Sequence, residues 1–244
     1  MKKRRWFSLF LSFALLLPLF SLTSADAYED FTLDAKAGLL IEADTGEILY
    51  EKNAHQENFP ASLTKVMVAL LVFEAIDEGK IALTDSVTAT ESAFEGLSSD
   101  GSTANIVPGE TMTVEQLLNC MLIVSANEAC NILGETLYGS VDAFVARMNE
   151  RAAELGCEHT HFANATGLHN SQHYTTAWDL YLITREALKH DKFMEICNSK
   201  GYTVPATNMT DKPRELHSTN FLISNWRARG YVYRDAQGIK TGST

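Results

Sequence analysis

A run of apolar residues between positions 63 and 77 places the strongest constraint on how this chain can fold. At a helical repeat of 3.6 residues these side chains fall on nearly every face; they are Leu63, Val66, Met67, Leu70, Leu71, Phe73 and Ile76. A helix that is apolar on most faces is stable only when other elements surround it. We therefore expect a buried central helix that begins near residue 62 and ends before Gly79, since glycine favours helix C-termini.

Strand-like segments lie mostly towards the two ends of the chain, and helical patterns lie between them. Runs of β-branched, aromatic and other apolar residues predict strands at residues 37–41, 47–50, 87–90, 202–204, 221–224 and 231–233. Amphipathic patterns predict helices at residues 113–124, 128–138, 141–155 and 176–190. This order predicts an α/β fold in which both chain ends build one antiparallel sheet and a helical lobe is inserted between them.

The first 27 residues have the layout of an export signal. Four basic residues at positions 2–5 precede a mostly apolar stretch at 6–20, and the alanines at 25 and 27 suit signal peptidase. We predict cleavage after Ala27, an exported, extracytoplasmic location, and one folded domain over residues 28–244. An uncleaved membrane anchor is the alternative, although the apolar stretch is shorter than the ~20 residues that span a bilayer.

The charge of the chain excludes one class of partner. Its formal net charge is −11, and removal of residues 1–27 takes away four basic residues and one acidic residue, which leaves −14. A nucleic-acid partner needs a basic face that neutralises phosphates. We therefore expect no nucleic-acid partner, and no adhesion of this portion to anionic lipid.

Four cysteines and seven histidines raise the question of disulfides and metals. Export permits disulfides, and four cysteines allow three pairings, but we favour buried free thiols at Cys120, Cys130, Cys157 and Cys197. The histidines do not show the helical spacing of a zinc site. No metal is expected.

Three short patterns occur in one order along the chain. Residues 62–65 have the sequence SLTK, residues 125–127 SAN and residues 240–242 KTG. Each pattern alone arises often by chance, and residues 218–220 (STN) supply a second SxN. We interpret that second copy as structural because it lies among strand-like residues, whereas residues 125–127 lie at the junction of two predicted helices.

The first and third patterns suit nucleophilic catalysis. Ser62 lies in the first turn of the predicted central helix, and Lys65 lies one turn along on the same face. A serine hydroxyl needs a base to become nucleophilic, and a lysine can be that base when burial and a second cation lower its pKa. Lys240 is the expected second cation.

The remaining motif residues suit proton transfer and substrate binding. Ser125 is expected to relay a proton between Lys65 and the leaving amine, and Asn127 to hydrogen-bond Lys65 and the substrate amide. Lys240 and Thr241 are expected to bind a carboxylate, and Gly242 to allow close approach of the substrate backbone. The N–H groups of Ser62 and Ser243 are expected to form an oxyanion hole.

This set of patterns resembles the low-molecular-mass penicillin-binding proteins, which are serine-type D-Ala-D-Ala carboxypeptidases. Further stretches are similar to that family: residues 42–49 (EADTGEIL), 60–67 (PASLTKVM), 125–129 (SANEA), 162–168 (FANATGL) and 218–222 (STNFL). The resemblance extends from about residue 37 to residue 244, nearly the whole predicted mature chain.

The resemblance implies a β-lactamase/transpeptidase-like fold, acylation of Ser62 and hydrolysis of the acyl-enzyme by water. It implies a peptidoglycan stem peptide ending in D-Ala-D-Ala as substrate, β-lactam antibiotics as covalent inhibitors, and no metal or organic cofactor. In this family the sheet continues after Lys-Thr-Gly, so we expect residues 28–244 to be a D,D-peptidase catalytic domain whose C-terminal strands are missing. Membrane association is expected only through segments absent from this chain.

Parts of the sequence also fit other functions. A β-lactamase needs a deacylating glutamate, and residues 115–119 (EQLLN) have its letters, but they precede Ser125 and lie inside a predicted helix. A non-catalytic β-lactam or cell-wall-peptide binding protein would not need Ser62, Lys65 and Lys240 intact. Carboxypeptidase and endopeptidase activity use the same residues, so the sequence leaves that choice open.

Overall fold

The computed structural model describes residues 33–243. The predicted signal sequence at residues 1–27 lies outside the described residues. Every helix and strand below belongs to the unit Lys36–Thr244.

The predicted central helix is present and buried. A short 3₁₀ turn, Ala61–Thr64, leads into helix α1, Lys65–Asp77. Ten of the 13 residues of α1 are buried, as its all-round apolar pattern requires. Gly79, with φ of +71°, follows its C-terminus. The nucleophile candidate, Ser62, therefore lies in the turn that precedes a buried helix.

Five further helices surround α1. They are α2 Val114–Ile123, α3 Asn127–Tyr138, α4 Val141–Glu154, α5 Ala177–Ala187 and α6 Asp191–Cys197. Helix α1 packs chiefly against α5 and α3, while α4 packs on α3 and α6 on α2. The four cysteines are buried among these helices and carry free thiols, in agreement with the interpretation favoured from sequence. Within residues 33–243 no helix is long and apolar enough to cross a membrane.

Local sequence explains where these helices begin. Thr113 caps α2: its hydroxyl accepts from the Gln116 N–H while the Gln116 side chain accepts from the Thr113 N–H. The hydroxyls of Ser140 and Thr176 cap α4 and α5 by accepting from the Ala143 and Asp179 N–H groups. The predicted helices agree with the structure to within a few residues, whereas α6 was not predicted.

The strands form three antiparallel pairs. Strand β1, Gly38–Ile41, pairs with β2, Ile48–Lys52; β3, Ser86–Thr88, pairs with β4, Thr111–Thr113; and β5, Gly201–Val204, pairs with β6, Arg214–His217. The turn before β2 contains Gly46 at φ of +76°, as its position in a hairpin predicts. The mixed helix and strand class and the helical centre are as predicted.

Three details of the predicted sheet were wrong. The strands of the two chain ends do not join into one sheet in the described residues, because β5 pairs with β6, which follows it closely in sequence, rather than with β1 or β2. Residues 221–224 and 231–233 are not strands. At residues 231–233 all three side chains are exposed, so that segment lacks the buried face that gives such residues their strand preference. At residues 221–224 Phe221 and Leu222 are exposed and the next two residues are buried, which is not the alternation of a strand.

Candidate active site

The nucleophile candidate lies in a strained turn. Ser62 is the second residue of the 3₁₀ turn, and Ala61 before it has φ of +48°, a left-handed conformation that costs an L-residue about 1–2 kcal/mol. The Leu63 N–H donates to the Pro60 carbonyl at 3.1 Å and closes the turn. Ser62 is only partly buried, so its hydroxyl lies at the boundary between the core and solvent.

Lys65 is the centre of the site. Its side chain is fully buried, and its Nζ lies 3.1 Å from Ser62 Oγ, 2.9 Å from Asn127 Oδ1 and 2.6 Å from the Thr166 carbonyl oxygen. Burial lowers the pKa of Lys65, and the nearby Cys130 and Glu128 oppose that shift. Desolvation thus favours the neutral amine, the form that can accept a proton from a hydroxyl 3.1 Å away.

Ser125 occupies the break between α2 and α3. It has φ of +67° and is 4% exposed. Its Oγ is the one buried side-chain oxygen or nitrogen within residues 33–243 that has no hydrogen-bond partner there. A buried unpaired hydroxyl and a strained backbone are both unfavourable and concentrate at functional sites. The Ser125 hydroxyl can therefore still donate and accept a hydrogen bond, as a proton relay requires.

Asn127 is the first residue of α3 and is fixed from two sides. Its Oδ1 accepts from Lys65, and its N–H donates to the Ser102 carbonyl at 2.9 Å. Gly101 lies so close that a Cβ there would be 2.7 Å from Asn127 Nδ2. The loop at residues 98–106 therefore covers Asn127 and needs a glycine at the contact.

The buried carboxylate of Glu128 holds that loop. Its Oε1 accepts from Thr103 Oγ1 at 2.7 Å, from the Ala104 N–H at 2.8 Å and from the Ile106 N–H at 3.4 Å. Charge-assisted bonds of this kind are stronger than neutral ones. In the first turn of α3, Asn127 thus contacts Lys65, and the next residue, Glu128, holds the loop at residues 98–106.

The KTG segment, residues 240–242, belongs to no helix or strand of the fold. Burial lowers the pKa of Lys240 to about 7, with a further contribution from the charge of Lys65. Lys240 Nζ donates to the Thr241 carbonyl at 2.8 Å, and Thr241 Oγ1 lies 2.7 Å from Thr219 Oγ1. The second SxN pattern, residues 218–220, therefore lies beside Thr241 and does not contact Lys65.

Gly242 and Ser243 lie against the 3₁₀ turn Ala61–Thr64, which contains the proposed nucleophile Ser62 and is called the nucleophile turn below. A Cβ on Gly242 would be 3.2 Å from the Pro60 carbonyl oxygen. Ser243 borders a cavity of about 280 Å³ whose other walls include Ala61 and Leu168. Gly242 thus lies beside the turn that carries Ser62, while Lys65 contacts Ser62 and Asn127. Ser125 Oγ makes no hydrogen bond within residues 33–243.

Sequence reasoning missed the loop that gives Lys65 its shortest contact. Asn164 Oδ1 accepts from the Thr166 N–H at 3.1 Å and from the Gly167 N–H at 2.8 Å, and Asn164 Nδ2 donates to the Leu168 carbonyl at 2.9 Å. These bonds shape the turn that presents the Thr166 carbonyl. Residues 162–168 are similar to the family in sequence, but a functional backbone carbonyl carries no side-chain signal.

The ExxLN letters of residues 115–119 do not form part of the site. They lie within α2, where Asn119 Nδ2 donates to the carbonyl of Glu115. The Glu115 carboxylate pairs with Lys192 Nζ at 2.6 Å. This glutamate is engaged in a structural ion pair, and nothing in its contacts supports a deacylating role.

Comparison with known proteins agrees with the geometry. A family model described as D-alanyl-D-alanine carboxypeptidase, peptidase family S11, matches residues 23–244. D-alanyl-D-alanine carboxypeptidase DacF of Bacillus subtilis is 39% identical over 211 residues, which are 86% of this chain and 51% of that protein. DacA of Escherichia coli K12 is 33% identical over 87% of this chain and 50% of its own length.

Solved structures agree as well. The crystal structure of the Streptomyces K15 DD-transpeptidase superposes with a TM-score of 0.78 at 30% identity, covering 89% of this chain and 83% of that one. The chain spans about half the length of DacF and DacA. With a family match over nearly the whole sequence, this chain belongs to the D-alanyl-D-alanine carboxypeptidase family, peptidase S11.

Proposed function

We propose that this chain carries the catalytic machinery of a serine-type D-Ala-D-Ala carboxypeptidase that removes the terminal D-alanine from peptidoglycan stem pentapeptides. Residues 28–244 form the D,D-peptidase domain in this proposal, and residues 1–27 direct its export to the extracytoplasmic face. The observation that carries the proposal is the buried Lys65 amine 3.1 Å from Ser62 Oγ. Family membership supports the substrate class.

In the proposed reaction Ser62 Oγ attacks the carbonyl of the penultimate D-alanine. Neutral Lys65 accepts the hydroxyl proton, and the N–H groups of Ser62 and Ser243 stabilise the oxyanion. One such donor is typically worth about 3–4 kcal/mol. Collapse of the tetrahedral intermediate breaks the peptide bond and leaves an ester on Ser62.

Proton return to the leaving amine is assigned to Lys65 and Ser125. Ser125 Oγ is free of other partners among the described residues, so it can accept a proton from Lys65 and donate one to the departing D-alanine. Protonated Lys240 and Thr241 hold the substrate's terminal carboxylate. Water then hydrolyses the acyl-enzyme, and no metal or cofactor takes part in this scheme.

The same machinery is proposed to react with β-lactams. A β-lactam resembles the D-Ala-D-Ala end, acylates the serine and leaves an adduct that water removes slowly. The proposal includes no nucleic-acid partner, because the chain carries a net charge of −11.

Mass spectrometry after exposure to penicillin tests the nucleophile. The wild-type protein should gain the mass of one penicilloyl group, and Ser62→Ala should gain none. Ser171→Ala, at an exposed serine, is the matched control and should label as the wild type does. Labelling of Ser62→Ala at the wild-type rate would exclude Ser62 as the nucleophile.

Release of free D-alanine from a stem pentapeptide tests turnover. D-Alanine should appear with wild-type protein and not with Ser62→Ala. A protein that forms the penicilloyl adduct but releases no D-alanine would instead be the non-catalytic binding protein. Rapid hydrolysis of a chromogenic β-lactam without a lasting adduct would indicate a β-lactamase.

A further inference from the structure

A buried histidine connects the nucleophile turn to the loop that contacts Lys65. His173 is 2% exposed. Its Nε2 lies 2.7 Å from Thr64 Oγ1, and its Nδ1 lies 3.1 Å from the amide nitrogen of Ala163. The ring of Phe162 packs edge-on against the imidazole, with the ring centres 5.7 Å apart.

These contacts determine the tautomer of His173. The Ala163 N–H can only donate, so Nδ1 must be the acceptor and the ring proton must be on Nε2. Nε2–H then donates to Thr64 Oγ1. Burial, together with the charges of His161 in the same loop and Lys65 on α1, lowers the pKa of His173 to about 4. The imidazole is therefore neutral at pH 7 and carries one defined proton.

The two partners of His173 lie next to the catalytic groups. Thr64 stands between Ser62 and Lys65 in the chain and belongs to the 3₁₀ turn. Ala163 precedes Asn164, whose amide shapes the turn that directs the Thr166 carbonyl to Lys65 Nζ. The contacts form a closed ring that runs through Thr64, His173, Ala163, Asn164, Thr166 and Lys65.

The segments that this closed set of contacts joins are tightly packed. Gly167 lies so close to the nucleophile turn that a Cβ there would be 1.9 Å from the Ala61 carbonyl oxygen. Backbone therefore packs directly on backbone between the loop and the turn. A shift of either segment must change the distance between the Thr166 carbonyl and Lys65.

We propose that His173 is a positioning residue for the proposed acylation, because it fixes the Thr166 carbonyl against Lys65 and so sets the proton affinity of that amine. The inference rests on the proposed function of Ser62 and Lys65. It assigns His173 no contact with substrate. Its action is through Thr64 on one side and the loop at residues 163–167 on the other.

The test compares His173→Leu and His173→Gln with the wild type. Leucine fills the space but removes both hydrogen bonds, so the Lys65 ammonium should lose its shortest acceptor. The pKa of Lys65, followed by NMR of protein labelled with ¹³Cε-lysine, should fall by roughly half a unit or more. The penicillin acylation rate should fall roughly 10- to 100-fold, with its acid limb moved to lower pH.

The conservative variant and a control separate positioning from folding. Glutamine can accept from Ala163 and donate to Thr64, so His173→Gln should restore both the Lys65 pKa and most of the rate. His159→Gln, at a half-exposed histidine that pairs with Glu57, should change neither. A rate loss in His173→Leu that matches its unfolded fraction, with an unchanged Lys65 pKa, would overturn the proposal.

A second variant covers failure of His173→Leu to fold. Thr64→Val removes the hydroxyl and retains the shape of the side chain, so it should lower the Lys65 pKa in the same direction. An unchanged Lys65 pKa in Thr64→Val would overturn the positioning role. Absence of any penicilloyl adduct in the wild type would contradict the proposed function alone, since the NMR measurement does not depend on acylation.

Discussion

At the scale of single residues, backbone strain is concentrated around the proposed reaction centre. Ala61 and Ser125, two of the four non-glycine residues with positive φ among those described, stand beside the nucleophile and at the proposed relay. The other two are asparagines, which tolerate this conformation better. Strain of about 1–3 kcal/mol per residue persists only where surrounding contacts enforce it, so the site depends on its packing to stay assembled.

Gly167 is the most demanding of those contacts. It has φ of +86°, and a Cβ would overlap the Ala61 carbonyl oxygen. We expect Gly167→Ala to destabilise the fold by at least about 1–2 kcal/mol and to slow penicillin acylation by roughly 100-fold. Gly139→Ala, where φ is +80° and a Cβ would meet no atom within 4 Å, is the control for the backbone effect alone. Equal acylation rates in the two variants would contradict this prediction.

The lowered pKa of Lys240 predicts how substrate binding depends on pH. Its pKa is lowered to about 7, so the ammonium that is proposed to bind the substrate carboxylate is present below pH 7 and is lost above it. The KM for a D-Ala-D-Ala peptide should therefore rise roughly tenfold between pH 6 and pH 8. Lys240→Arg keeps its charge and should give a flat KM profile. A wild-type KM that does not change over this range would exclude Lys240 as the titrating carboxylate ligand.

At the scale of elements, the first turn of α3 has two functions in adjacent residues. Asn127 contacts Lys65, and Glu128 holds the loop at residues 98–106. The N-terminal end of a helix favours a carboxylate, which explains why an acidic residue can be buried there. The position of the loop is thus set by the same helix that orients Asn127.

We expect Glu128→Gln to loosen that loop. Loss of the charge weakens three hydrogen bonds and should cost about 1–3 kcal/mol of unfolding free energy, measured by urea denaturation. Amide hydrogen exchange at residues 101–106 should accelerate. Glu150→Gln on α4, where the carboxylate is 67% exposed, should alter neither. Unchanged exchange in Glu128→Gln would mean that Gly101 and Ser102 hold the loop by themselves.

The helices could be predicted from sequence because their signals are local. The capping box at Thr113 and the 3.6-residue pattern of α1 are contained within a few turns. Strands β4 and β6 were not predicted, because three or four residues carry too little pattern and each strand is recognisable only from its pairing with β3 or β5. The strand predicted at residues 231–233 is absent although its residue types favour strands, because their side chains are exposed and have no buried face to form.

The candidate site divides in the same way. Side chains with distinctive chemistry, such as Ser62, Lys65 and Lys240, could be proposed from motif order alone. The contribution of Thr166 could not, because a carbonyl oxygen is common to every residue and only the fold aims it. His173 was likewise hidden, since its importance comes from two partners that lie 109 and 10 residues away in sequence.

At the scale of the whole molecule, the buried ionisable groups give stability an unusual pH dependence. The pKa of Lys240 is lowered to about 7, and burial lowers the pKa of Lys65 as well. From about pH 7 for Lys240, and up to about pH 10.5, the unfolded state therefore binds more protons and stability rises with pH. Burial raises the pKa of Cys120, Cys157 and Cys197 to about 12 and of Cys130 to about 11. Above pH 9 the folded state therefore binds more protons at the thiols, and stability falls.

The expected outcome is a maximum of unfolding free energy near pH 9. Urea denaturation from pH 6 to pH 10.5 under reducing conditions measures it. Lys65→Met should flatten the rise on the acid side, because one of the two titrating amines is gone. A wild-type curve that declines steadily from pH 7 would show that neither lysine is held neutral in the folded protein.

The four buried thiols also impose an order of events on biogenesis. In the oxidising compartment to which the export proposal assigns the chain, a thiol hidden inside the helical core is chemically silent, whereas the same thiol on an unfolded chain is open to mispairing. Folding of the core around α1 must therefore be faster than oxidation of the cysteine thiols. The packing that shelters the cysteines acts as a kinetic safeguard, and its protection is lost whenever the core opens.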